Sequence, residues 1–466
     1  MTKRISVDVV IVGAGPAGLA AAVAARRSGA SVLVVDGFSQ AGGQYFMQPL
    51  VSDSSNAQIK AGEQAITDAE AAGITLLPGF EIFAAYSGFQ LLGAGRGKAL
   101  VVEARAVIAA NGAHDRVMAF PGWTLPGVMT AGAGQRLAKI NDVLPGKRLV
   151  IAGSGVFLWA VAQTLLDKGS EIEALVEARR PQLALAAHLV AFPERWQETS
   201  KLFHSVSRRV KRVVFGRVVS EAFGSERVEK IVLATPQGKS AETLAGFDAL
   251  LVGHGFQPNI EITSLLDCEH RFDEALGGWY AAVNDDGRTT VEGLYAAGEV
   301  TGVAGYRPAA LSGELAGYSA ASDLGFASPI DNDAMDRIRR RLARARRFGR
   351  GLGKLFAPLP ELEKLSRTDT ILCRCEGITK GEILEASRDG SDSIHAAKMW
   401  TRAGMGRCQG RMCRMSVTAC LSQATGRPPE LLGFNRPRVP CRPVTLEEAL
   451  LAVKSIESSV EKSIRV

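Results

Sequence analysis

The sequence has no apolar run approaching the roughly 18 to 20 residues needed to cross a bilayer. It also lacks a secretory leader. Lys3 and Arg4 are basic, but residues 7–12 read as a strand that runs straight into a glycine loop, with no cleavage site. These absences make a cytoplasmic protein without a membrane span the expectation. There is no helix-turn-helix signature, zinc-finger spacing or platform of aromatic and basic residues, so nucleic acid is not an expected partner. No catalytic triad, metal-water site or pair of carboxylates marks a centre of substrate chemistry, and no catalytic residue is assigned. No C-x-x-C lies near the glycine loops, which disfavours a dithiol-disulfide reductase.

What is present is a chain of 466 residues, long enough for two or three domains, with 46% apolar and 22% charged residues as in ordinary globular proteins. Seven cysteines, four of them crowded into one late stretch, argue for metal ligation in a reducing compartment over a disulfide framework. The net charge of +7 owes much to arginines near residues 337–350.

Two strand–glycine loop–helix–strand units stand about 140 residues apart, at residues 7–36 and 148–177, and predict an α/β protein with two doubly wound Rossmann-like domains. Residues 291–300 (VEGLYAAGEV) read as a strand returning to the first sheet, so the first domain is expected to be interrupted by the second. The expected division is 1–130 with 285–330, an inserted domain 131–284, an Arg-rich helix and linker 331–367, a cysteine domain 368–432, and an extended arm 433–466. Ile338, Leu342 and Ala345 recur at helical spacing among Arg337, Arg339, Arg340, Arg341, Arg344, Arg346 and Arg347. A solvated face is favoured for these arginines over docking to an acidic partner or a phosphate. Gly349, Gly351, Gly353, Pro358 and Pro360 read as linker, and the prolines of 436–443 exclude helix there.

The first loop, Gly13-Ala14-Gly15-Pro16-Ala17-Gly18, is GxGxxG in its required context. Gly13 makes the tight turn, Gly15 admits a pyrophosphate, and Gly18 allows close helix–strand packing. Asp36, ending the second strand, is placed to accept from both ribose hydroxyls and to repel a 2′-phosphate. In the second loop, Gly153 and Gly155 are present but Leu158 stands where the third glycine belongs, so NAD(P) binding there is not favoured. Such a leucine needs compensating small residues. His254 reads as a packed turn residue.

Cys373-x-Cys375, 32 intervening residues, then Cys408-x4-Cys413 give four thiolates in two close pairs. A [2Fe-2S] cluster is favoured, and zinc remains the structural alternative. Gly404, Gly406 and Gly410 suit a backbone folded round sulfurs, and Lys398, Arg402 and Arg411 would offset the charge. Cys268, Cys420 and Cys441 stand alone.

Several segments carry a resemblance. Gly42-Gly43-Gln44 resembles the second contact loop of two-dinucleotide-domain flavoproteins, and residues 109–113, with Asn111, Gly112 and Ala113, their ATGA segment. Gly298-Glu299 stands where that class has Gly-Asp against FAD, with one methylene more. DALLVGHGFQPN (248–259) resembles the segment that closes their NAD domain. Residues 398–413 (KMWTRAGMGRCQGRMC) resemble the bacterioferritin-associated-ferredoxin-like [2Fe-2S] domain. Together with FPGWTLPGVMTAG (120–132) and the Pro-rich arm, the chain resembles the alpha subunits of bacterial heteromeric amino-acid dehydrogenases. These include opine oxidase, hydrogen cyanide synthase and D-hydroxyproline dehydrogenase, with the alpha chain of sarcosine oxidase more distant.

The resemblance implies FAD in the first site and electron transfer onward through the cluster. It implies a beta subunit of the D-amino-acid and sarcosine oxidase-like family, which oxidises the amine, and leaves room for a small third subunit. Some relatives hold ATP where FAD is expected, and some hold FMN at the alpha–beta interface, so both stay open. A stand-alone NAD(P)H-dependent flavin and iron-sulfur reductase, and a non-catalytic cluster-bearing binding module, are the alternatives.

Overall fold

The computed structural model describes residues 2–50, 57–181 and 183–464. Its first sheet is built on strand Thr2–Val12, whose end (VVIV) is apolar on both faces and buried. That pattern belongs to a central parallel strand. It pairs with Val32–Asp36 on one side and Lys98–Ala109 on the other, with Val10 opposite Leu33 and Val107. The strand order is Thr75–Pro78, Val32–Asp36, Thr2–Val12, Lys98–Ala109, Gln90–Gly95, Glu81–Tyr86. Leu294–Ala296 returns to pair with Lys98–Ala109 in parallel, as the strand expected within 291–300.

The second sheet is parallel throughout, in the order Val213–Phe215, Glu171–Glu177, Arg148–Gly153, Ala249–Gly253, Val128–Thr130. The chain rejoins the first core earlier than residue 285. Ile260, Ile262, Leu266, Trp279 and Ala281 already pack with Val10, Leu33 and Val107.

The cysteine module is a small hairpin, Ile371–Cys373 with Ile378–Thr379, followed by helices Lys380–Arg388, Ile394–Thr401, Arg414–Thr425 and Pro429–Leu432. It has no core apart. Leu372, Cys373, Ile383, Cys413 and Leu421 share one apolar cluster with Phe120 and Trp123 and with Leu250 of the inserted domain. The Trp123 indole N–H donates to the Ile371 carbonyl at 2.7 Å.

Two expectations are corrected. Gly349, Gly351 and Gly353 are not linker but lie inside helix Asn332–Leu355. Each marks a close approach: a Cβ on Gly349 would stand 2.4 Å from the Ala304 carbonyl oxygen, on Gly351 2.2 Å from the His188 ring, and on Gly353 1.9 Å from the Ala275 carbonyl oxygen. Tertiary packing of the glycine face outweighs the helix cost of roughly 1 kcal/mol per glycine. Among the arginines of this helix, Arg344 pairs with Glu194 at 3.1 Å and Arg339 with Asp286 at 2.8 Å.

The last segment is likewise not extended throughout. Residues 434–443 form no helix, but Leu446–Ile464 does. Its N-terminus is closed by Thr445 and Glu448, whose side chains each bond the other's backbone N–H. It seats Ala452 against Phe83, Leu92 and Val101 of the first sheet. Residues 465–466 of the expected arm lie outside the described residues.

Helix Pro16–Arg27 packs against Tyr306–Asp323 through small residues, and a Cβ on Gly313 would lie 2.0 Å from the Ala17 carbonyl oxygen. Gly313→Val is therefore expected to destabilise the protein by roughly 1–3 kcal/mol, read as an earlier midpoint in a thermal melt.

Candidate functional site

The first glycine loop has the geometry its sequence demands. Gly13 takes φ of +109°, and a Cβ on Gly18 would sit 1.8 Å from the Gly13 carbonyl oxygen. Gly15 faces Gly43 so closely that a Cβ on Gly43 would come within 2.8 Å of the Gly15 Cα. The backbone N–H of Gly42 donates to the Ala14 carbonyl at 2.8 Å, which ties the two loops together. Pro16 and Ala17 open helix Pro16–Arg27, whose N-terminal N–H groups favour an anion. Asp36 is buried and accepts from the N–H of Ala14 at 2.6 Å and of Phe38 at 2.7 Å. Burial pushes its carboxyl up, and these two bonds oppose the shift.

Asn111 and Asn259 exchange side-chain to backbone bonds at 2.8 and 2.7 Å, and the Gly112 carbonyl accepts from the Asn259 N–H. Ala113 lies opposite Pro258 in a short antiparallel pair. Gly298 has φ of +75°, donates its N–H to Ser312 Oγ at 2.9 Å, and stands against Ala17. The extra methylene of Glu299 turns its carboxylate back to the Gly305 N–H at 3.3 Å, and burial pushes that carboxyl up. Gln44 is exposed. Tyr45, next to it, stacks on Tyr306 with ring centroids 4.0 Å apart.

The second glycine loop is closed by the chain itself. Leu158 stays on the sheet because Gly253 lies beneath it, where a Cβ would meet Leu158 Cδ2 at 2.8 Å. This is the compensating small residue that the leucine requires. The N–H of Gly155, which would face a pyrophosphate, donates to Glu177 at 2.9 Å. Phe356 lies over Gly155, with its Cβ and Cγ 3.7 and 3.8 Å from where a Gly155 Cβ would be. Ser154 Oγ donates to the Phe356 carbonyl at 3.4 Å and Arg179 to that of Ala357 at 2.5 Å. His254 is buried, and that burial, then Arg116, pushes its pKa down to about 4.

The four cysteines fall into two pairs, Cys373 with Cys413 and Cys375 with Cys408. No group of three or more His, Cys, Asp or Glu is arranged round a single ion among the described residues. Cys373 and Cys413 are buried, whereas Cys375 is exposed. Cys373 is held down to about 6 by a hydrogen bond from the Cys413 thiol and by the N–H groups of Gly404, Glu376 and Cys375. The Gly404 N–H reaches its sulfur at 3.4 Å. Gly404 and Gly410 both take positive φ and lie against Asn435, which is buried with its amide nitrogen and oxygen unpaired.

Of the three cations expected to offset the cluster's charge, Lys398 is buried, but Arg402 is exposed and pairs with Glu376 at 3.0 Å. Arg411 turns to the Cys408 carbonyl at 3.1 Å. Cys268, Cys420 and Cys441 are free and buried.

One junction joins the two sites. The Arg411 carbonyl, between Cys408 and Cys413, accepts from Gln257 at 2.8 Å and bonds His114 Nε2 at 3.0 Å. His114 Nδ1 in turn bonds Asn259 Oδ1 at 2.6 Å, and Asn259 holds Asn111 and Gly112. Sequence reasoning missed His114, Gln257, Glu177, Phe356, Asn435 and the buried Arg414. Of these, only Glu177 carried a signal, as the acid ending its βαβ unit in the way Asp36 ends the first.

Residues 7–323 match the pyridine nucleotide-disulphide oxidoreductase family. The chain belongs to that family. Residues 371–423 match the BFD-like [2Fe-2S] binding domain. This member is similar to an opine oxidase subunit of Agrobacterium tumefaciens (strain Ach5), 33% identical over 95% of this chain and 91% of the relative. It is also similar to Hydrogen cyanide synthase subunit HcnB of Pseudomonas aeruginosa (strain PAO1), 31% identical over 93% of this chain and 96% of that one. The resemblance read from the motifs is thus borne out along nearly the whole length. L-proline dehydrogenase from P. horikoshii shares the fold, with a TM-score of 0.73 at 20% identity over 96% of this chain and 80% of that structure.

The cofactors of this family member are FAD and a [2Fe-2S] cluster. Both fit the residues present. The Gly15–Gly43 cradle leaves no side chain in the way, and Asn111 Oδ1 is a buried acceptor without a partner. Two pairs of sulfurs, on loops whose Gly404 and Gly410 lie against the unpaired Asn435 amide, suit a two-iron centre. With residues 356–357 on the second loop, NADH is expected to give no signal in a fluorescence binding titration and to leave the flavin oxidised. Prompt bleaching by NADH alone would show that this segment lifts off in solution.

Proposed function

We propose that the chain is the electron-transferring alpha subunit of a heteromeric, cytoplasmic, FAD-dependent dehydrogenase acting on an opine, amino acid or other secondary amine. The amine is oxidised on a beta subunit of the D-amino-acid and sarcosine oxidase-like family. The observation that carries this reading is the Arg411 carbonyl, held by Gln257 and by His114 of the Asn111–Asn259 network. A cysteine loop fastened to the flavin-side loop fixes one redox centre relative to the other. The relatives from Agrobacterium tumefaciens and Pseudomonas aeruginosa are both named as subunits, which describes parts of larger enzymes.

In this reading Gly13, Gly15, Gly18, Asp36 and Gly43 hold the adenosine and pyrophosphate part of FAD. Asn111, Gly112, Ala113, Gly298 and Glu299 line the remainder. Cys373, Cys375, Cys408 and Cys413 hold the cluster, and the Gly404 N–H steadies the Cys373 sulfur. When bound, a flavin converts a two-electron supply into the single electrons that a [2Fe-2S] cluster accepts. Burial of Cys373 and Cys413 keeps water from one side of the centre, while the exposed Cys375 marks the side from which electrons leave.

A partner surface is offered by helix Leu183–Ala191 (LALAAHLVA), which has no Lys, Arg, Asp or Glu and exposes 91% of Leu183 and 70% of Val190. Contiguous apolar surface of this kind marks interaction sites. Trp196, half-exposed, opens the next helix, where Glu198 lies 3.7 Å from Arg307 beside Tyr306.

The purified chain is expected to be yellow-brown, with absorption from both flavin and cluster. Cys408→Ala should remove the cluster bands and keep the flavin, whereas a colourless, zinc-containing protein would overturn the reading. In a co-expressed complex, Leu183→Asp with Val190→Asp should abolish co-purification of the beta subunit while the isolated chain keeps both chromophores.

A further inference from the structure

Arg414 directly follows Cys413, opens helix Arg414–Thr425, and is 1% exposed. Its Nε and Nη2 have no hydrogen-bond partner, and Nη2 stands 3.6 Å from Glu261 Oε1. Glu261 is 0% exposed. Its other oxygen is 3.5 Å from Arg442 Nη2, and Arg442 Nε is 3.1 Å from Glu81. Four charges thus run in alternating sign from the cysteine loop to the first sheet.

Beyond the Phe434 ring 5.9 Å from the Arg414 guanidinium, stability gives little reason for this arrangement. Buried ion pairs are commonly replaced by apolar residues without loss, and an arginine with two unpaired donors is costly to bury. An arginine keeps its charge, however, and a fixed charge in a poorly polarisable interior acts on its surroundings with little screening. Net charge and burial are among the features that set cluster potentials. Arg402, exposed and paired with Glu376, is screened by solvent and cannot act in this way.

We propose that Arg414 and Glu261 set the reduction potential of the cluster. Arg414 stabilises the electron the cluster gains, and Glu261 limits that effect. Both are positioning residues that touch neither substrate nor the reacting atoms. The proposal rests on the reading that the four cysteines hold the cluster, and it adds a determinant of where on the potential scale that centre works.

The test is a potentiometric titration of the full purified chain, following the [2Fe-2S] signal by electron paramagnetic resonance. Arg414→Gln is expected to shift the midpoint to lower potential, and Glu261→Gln to shift it to higher potential. Arg414→Lys, which keeps the charge, should stay near the unmodified chain. A purely structural role would move the two glutamine variants together or merely lower cluster content. Where Arg414→Gln fails to load a cluster, Glu261→Gln decides, because it keeps size and shape while removing the charge. The proposal is overturned if the loaded variants keep the original midpoint or shift in the same direction. Absence of any cluster signal in the unmodified chain would instead bring down the ligand reading on which it stands.

Discussion

A backbone carbonyl has two lone pairs, and at Arg411 both are taken by side chains from outside the cysteine module. That single oxygen sits between Cys408 and Cys413, so neither cysteine moves without disturbing Gln257 or His114. Each such bond contributes only about 0.5–1.5 kcal/mol net, but leaving a buried partner unpaired costs about 1–3 kcal/mol. The loop is therefore fixed less by the strength of the bonds than by the penalty for leaving them. Trp123 adds a second tether at Ile371, two residues before Cys373. A module that shares its apolar core with the inserted domain has no reason to swing as a free unit.

The two glycine loops show how one motif is kept for different ends. In the first, Asp36 accepts the N–H of Ala14, one residue before the glycine that meets Gly43. In the second, the longer Glu177 reaches the N–H of Gly155 itself, and Phe356 covers the same glycine. One methylene in the acid and one aromatic ring convert a nucleotide cradle into a socket for the chain's own helix end. Cys268, Cys420 and Cys441 are each free and buried, apart from both loops.

Much of this was legible from the sequence, because local rules governed it. The loop at Gly13 to Gly18 is a contiguous pattern and takes the geometry it asks for, while the cysteines come as two short motifs that the fold brings together as Cys373 with Cys413 and Cys375 with Cys408. The glycines of helix Asn332–Leu355 misled because a glycine read alone signals a break, whereas here it signals contact with Ala304 and Ala275 far away in the chain. Helix Leu446–Ile464 was missed although Thr445 and Glu448 form a capping pattern that stands openly after the last proline. Arg414 with Glu261, and Asn435 with Gly404 and Gly410, could not have been found, since nothing local links residues so distant in sequence.

The position of Asn435 bears on what braces the cysteine loops. It rests on Gly404 and Gly410, and a few residues later Cys441 donates its N–H to the Phe83 carbonyl at 2.8 Å on the first sheet. The strap over the cysteine loops is thus itself held by the first sheet through a backbone bond. The inserted domain braces the same loops from another direction, through the apolar cluster shared with Trp123 and Leu250. A tilt of one nucleotide-fold domain against the other would therefore be felt at the glycines beside the cysteines.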